Sequence, residues 1–173
     1  MIKMRWLVAH TFLSVFLMLG GCSSAPHYRV VELKPLPGFH FSDANDIDDR
    51  GVAYGYCEEG DATRNTIWRG GVPYESNKQP AKPGRRDVVG ARPLGGKPGV
   101  YHAIVRTGGK VYDLNGCIDR DNEWQLWSAR AMDRNGEIVG AGLFQGRNRG
   151  FLLIPSHKKS PATAKSKQAH HRH

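Results

Sequence analysis

The side chains able to do chemistry in this chain of 173 residues are few and scattered. The densest acidic group is Asp43, Asn45, Asp46, Asp48 and Asp49, and oxygen ligands at alternating positions are what calcium requires. A calcium loop opening at Asp46 has Asp48 at its third position. Arg50 and Cys57 then stand where later ligands belong, so the spacing fails. A parallel motif carries Asp133 followed by Arg134, again without a ligand, so the shared Asp is expected to cap a turn through backbone N–H groups. No metal and no cofactor is expected. The elbow, zinc-protease and phosphate-loop motifs are absent, which leaves carboxylates such as Asp119, Asp121 and Glu123 as the only acid/base candidates.

Aromatic residues offer a different chemistry, since flat amphipathic rings stack on sugars and grip peptides. Trp68, Trp124, Trp127 and the Tyr54/Tyr56 pair could line a ligand groove, but Trp68 falls on the second strand of its unit and is expected in the core. Trp124 and Trp127 stand three apart, in a segment that reads as a short helix or a loop. They are the ligand-binding candidates.

Charge has to be divided along the chain before it is interpreted. The net charge is +9, but Lys3 and Arg5 lie at one end, and Lys158, Lys159, Lys165, Lys167 and Arg172 lie at the other without an acid. Between Cys22 and Ile154 there are 18 bases against 16 acids. A nearly neutral body between basic ends argues against a nucleic-acid-binding fold, whose cations cluster on a folded face. Residues 156 to 173 hold no apolar side chain larger than Ala and read as a disordered basic tail, with His170, His171 and His173 as loose metal ligands at most.

The first residues form an address rather than part of the fold. Lys3 and Arg5 precede an apolar run from Trp6 to Leu19, too short to span a bilayer comfortably, which closes on Leu19-Gly20-Gly21-Cys22. This order resembles the lipobox of bacterial lipoproteins. The resemblance implies that residues 1 to 21 are a signal peptide and that Cys22 is acylated. Ser23 after it implies the outer membrane, facing the periplasm. Residues 22 to 42 would then be tether and lead-in. With Cys22 removed, Cys57 and Cys117 remain in an oxidising compartment, and a disulfide between them is preferred to two buried thiols.

The body, residues 43 to 155, repeats itself. Ala44 to Gly51 and Ala129 to Gly136 share Ala, an apolar residue, Asp and Gly at the same offsets. Each leads into a short strand, ending at Gly55 and Gly140, and a third copy of that strand, Val88-Val89-Gly90, lacks its entry motif. A second strand follows each at 10 to 12 residues, beginning at Thr66, His102 and Gly150. Gly108-Gly109 then predicts a hairpin into Lys110–Leu114. The pattern resembles the extracellular HAF repeat family, with His102-Ala103-Ile104 as its naming triplet. The fold class expected is all-β, with about three hairpin or blade-like repeats, propeller-like or an open sheet. Three such units cannot close a ring, so an oligomer is possible. The function expected is a non-catalytic binding module on the cell envelope. Its partners would be membrane lipid through Cys22 and an envelope protein, glycan or anionic polymer; the alternative is a small periplasmic hydrolase using carboxylates.

Overall fold

Phe151-Leu152-Leu153-Ile154 is apolar without alternation, the signature of a strand covered on both faces. That strand organises the molecule. The computed structural model describes residues 25–156 apart from 81, 96 and 98, and these form eleven strands and one 3-10 turn, Leu114–Gly116. The fold is all-β, in three antiparallel sheets. The first sheet joins β1 (Tyr28–Leu33) to the last three strands, β9 (Trp124–Met132), β10 (Ile138–Phe144) and β11 (Arg147–Pro155), in the order β1-β11-β10-β9. The second runs in sequence order through β2 (Phe41–Ile47), β3 (Ala53–Glu59), β4 (Ala62–Arg69) and β5 (Val72–Glu75). The third has β6 (Val89–Pro93), β7 (Tyr101–Thr107) and β8 (Lys110–Asp113).

The first sheet serves both cores. Phe151 and Leu153 point into one with Leu126, Ile138 and Val105 of the third sheet. Leu152 turns the other way, into a core with Val139, Ile47 and Trp68 of the second sheet. Complete burial of one such side chain contributes about 1.5–3 kcal/mol, so the alternation along β11 ties both outer sheets to the middle one. Trp68 is core, as expected, and its indole N–H donates to the Lys34 carbonyl at 2.7 Å.

The two Ala-to-Gly motifs fold alike to the level of single hydrogen bonds. Ala44 pairs with Gly55 and Asp46 with Tyr54, so Asn45 bulges out of the ladder; Ala129 pairs with Gly140 and Ala131 with Val139, so Arg130 does the same. In the turn that follows, Asp48 Oδ1 accepts from the N–H groups of Arg50 and Val52, at 3.0 and 3.1 Å. Asp133 Oδ1 accepts from those of Asn135 and Glu137, at 2.9 and 2.8 Å. Gly51 and Gly136 close the turns with φ of 74° and 81°, which a Cβ disfavours. The turns also touch each other, because Arg134 Nε lies 2.7 Å from Asp49 Oδ2.

The middle unit lacks the entry motif and, among the described residues, the strand it would build. β6 stands in the place of β3 and β10, with Gly90 opposite Ile104 as Gly55 is opposite Thr66. Where an inner strand would lie, there is a single bridge, Arg85 to Met132.

Three expectations require correction. The folded body starts at Tyr28, inside the presumed lead-in, because β1 completes the first sheet along the whole of β11. Asn122–Trp127 is neither a helix nor a Trp-bearing loop, since the loop ends at Glu123 and Trp124 opens β9. The Cys57–Cys117 disulfide is not formed. Both are free thiols, in different cores: Cys57 accepts from Thr66 Oγ1 and Leu36 N in the second-sheet core, and Cys117 donates to the Asp113 carbonyl in the other. Burial pushes the Cys117 thiol up, and the nearby Asp113 charge adds to the effect.

Candidate functional site

Trp124 and Trp127 are on one strand at an odd spacing, which in regular pleat would send them to opposite faces. A second bulge prevents this. Ala141 pairs with Ser128 and Gly142 with Leu126, so Trp127 is the extra residue, and a bulge re-aims the side chain it carries. Both tryptophans therefore line one groove, between the start of β9 and the connection from β6 to β7. At about 930 Å³ it lies near the upper end of small-molecule sites.

Packing divides the two rings by role. Trp124 stacks on Phe144 at 5.0 Å between centroids and meets Phe151 edge-on at 6.2 Å, so one face belongs to the core. Trp127 is half-buried and has no such ring partner among the described residues. Opposite them stands Tyr101, which is 51% exposed at the mouth of the groove.

The polar groups of the groove come from the third sheet, the 3-10 turn and β9, with Lys97 on the connection from β6 to β7. His102 Nδ1 lies 2.5 Å from Asp113 Oδ2 across the β7–β8 hairpin. Burial works against the charge on Asp113, but hydrogen bonds from His102 and Asn115 outweigh it and hold the carboxyl below its usual range. Asn115 is fixed in turn: its amide donates to the Leu126 carbonyl at 2.9 Å and accepts from the Leu126 N–H at 2.7 Å. Gln125 and Ser128 add an amide and a hydroxyl. Among the described residues, no Asp or Glu lines the groove.

The other candidates are accounted for elsewhere. Asp43 faces Arg130 at 2.7 Å; Asp46 accepts from the Gly84 N–H and meets Arg86; Asp48 caps its turn; Asp49 meets Arg134. The acidic cluster thus ties the second sheet to its neighbours. Asp119 is 83% exposed against His27, and Glu123 accepts from Gln145, so neither joins Asp121 in a converging carboxylate site. Cys22 and the histidines at 170, 171 and 173 lie outside the described residues.

Sequence reasoning missed the His102–Asp113 pair, although its signal was present. A Gly108-Gly109 turn sets Ile104 opposite Asp113, and His102 is then the diagonal neighbour on the same face. The groove joins a bulged, aromatic strand to a hairpin carrying a hydrogen-bonded His–Asp pair, and in comparison with known proteins no family model, curated protein or solved structure matches the chain.

Proposed function

We propose that this chain is a non-catalytic binding module of the cell envelope, tethered through an acylated Cys22 to the outer membrane and facing the periplasm, whose groove takes a segment of glycan. The observation that carries the reading is the composition of the groove wall. Trp127, Trp124 and Tyr101 offer ring faces, Asn115, Gln125 and Ser128 offer neutral hydrogen-bonding groups, His102 is paired with Asp113, and Lys97 adds one cation. Rings with neutral amides and hydroxyls suit a sugar, which presents apolar ring faces and many hydroxyls at once. The hydrolase alternative would use carboxylates, and among the described residues no Asp or Glu lines the groove, which weighs against it.

The test uses the full chain with Cys22→Ser, titrated with fragments of cell-wall glycan while tryptophan fluorescence is followed. Trp127→Ala should weaken binding tenfold or more with the melting temperature unchanged, because truncating a central aromatic anchor costs about 1.4 kcal/mol or more. Equal affinity of parent and variant would remove the groove from the function. Incorporation of labelled palmitate by the parent, lost in Cys22→Ala, checks the anchor separately.

A further inference from the structure

A second cavity, of about 320 Å³, opens on the second sheet beside the turn at residues 48–51. Its wall consists of Arg50, Val52, Tyr54, Ile67, Arg69 and Lys78. Half of these residues are cations, and none is an acid. The one carboxylate bonded to this wall, Asp48, accepts from Arg50 through Nε at 3.3 Å and Nη2 at 3.0 Å and from the Tyr54 hydroxyl at 3.0 Å. It can offset one positive charge, and two remain. The acid on the neighbouring strand, Glu75, is 3.5 Å from Arg64.

Two of the cations have side-chain partners, and the backbone leading to the third is pinned. Arg50 is fixed by Asp48, and Arg69 stands over the Tyr74 ring at 5.7 Å. Lys78 follows a segment pinned to β4, where the Ser76 N–H donates to the Asn65 carbonyl at 2.9 Å and Ser76 Oγ accepts from the Lys78 N–H at 3.2 Å. Two guanidinium groups and an ammonium around one cavity match a small oxyanion of charge near −2 with several acceptor oxygens.

Position narrows the source of that anion. Tyr28 pairs with Pro155, and the Ser156 N–H donates to the His27 carbonyl at 2.9 Å, so the chain enters and leaves the body side by side. A Cβ on Gly136 would lie 3.4 Å from Pro155, and the turn at Gly136 bonds to the one at Asp49, so the cavity beside Arg50 is at this same end. We propose that the cavity binds a phosphate group, of the kind an anionic lipid headgroup presents to a body tethered from this end. The phosphate assignment stands on the cavity alone; the lipid source rests on the tether reading.

The test compares the full Cys22→Ser chain with the same chain carrying Arg69→Gln and Lys78→Gln, both exposed positions that leave the cores intact. Inorganic pyrophosphate is titrated at about 0.15 M salt, where weak surface attraction is screened, and backbone amide resonances are followed. The parent should show saturable shifts at Arg50, Val52 and Tyr54, and the double variant should bind tenfold more weakly or worse. Trp127→Ala should leave these shifts unchanged, which separates this site from the groove. Flotation with vesicles of phosphatidylcholine, with and without phosphatidic acid, then identifies the source. Loss of phosphatidic-acid-dependent flotation in the double variant assigns a headgroup, and loss of pyrophosphate binding alone assigns a soluble phosphate. Undiminished pyrophosphate binding by the double variant, or none by the parent, overturns the proposal.

Discussion

Asp48 and Asp133 hold equivalent turns, but only Asp48 also carries a guanidinium and a phenol. Burial opposes the charge on Asp48, yet the N–H groups of Val52 and Arg50, the Arg50 guanidinium and the Tyr54 hydroxyl outweigh it and lower its pKa. A carboxyl whose folded pKa lies below the unfolded value of about 3.9 contributes stability that is present above that value and lost as pH falls through the folded one. Asp48→Asn should therefore cost about 1–3 kcal/mol at pH 7, and the deficit should close as denaturant melts are repeated toward pH 2. The cysteines give a second check at this scale. Cys57 is 0% and Cys117 3% exposed, so in the Cys22→Ser chain neither should react with a thiol reagent under native conditions, and both should react once the chain is denatured without reductant. A single bridge found by mass spectrometry would contradict the two separate cores. Cysteine arithmetic failed here because it counts thiols by compartment and says nothing of their separation.

The repeat was legible as a motif, and its meaning emerged in the packing between strands. A Cβ on Gly55 would lie 2.0 Å from the Asp43 carbonyl oxygen, and one on Gly140 would lie 2.0 Å from that of Ser128. These glycines admit the bulged inner strand against its partner. Gly90 has the same place in sequence but no inner strand beside it, and its Cβ would find only Ile104 at 4.0 Å. Gly55→Ala and Gly140→Ala should each cost about 3 kcal/mol, at the upper end of overpacking, while Gly90→Ala should be near neutral or slightly stabilising. Equal costs at all three, measured by urea melts, would mean that the middle unit has an inner strand after all. The missing strand was readable from the missing Ala and Gly. The Trp127 bulge was not, since a bulge depends on how two strands pair, and neither strand declares it alone.

The first sheet gives the whole molecule a direction. One end has Tyr28 opposite Pro155 and, two residues in, Val30, Leu153, Ile138 and Met132 in register; the other has Phe144 beside Arg147 and Trp124. The six steps of β10 between them span roughly 20 Å, so the aromatic groove opens away from the end where the chain enters and leaves. Fold class was visible in the sequence through Gly spacing and short apolar runs. This polarity was not, because it depends on β1 joining β11, strands more than a hundred residues apart. It gives the basic tail a place, if Cys22 is the anchor. Residues 157–173 carry Lys158, Lys159, Lys165, Lys167 and Arg172 without an acid, and they follow Ser156, whose N–H donates to the His27 carbonyl at 2.9 Å. Each such cation near an anionic membrane surface contributes about 1 kcal/mol, an attraction that salt screens. Removing residues 157–173 from the acylated protein should weaken its retention on anionic vesicles, increasingly so at low salt, and leave retention on zwitterionic vesicles unchanged. Equal retention of both forms on anionic vesicles, followed by flotation across a salt series, would detach the tail from the membrane.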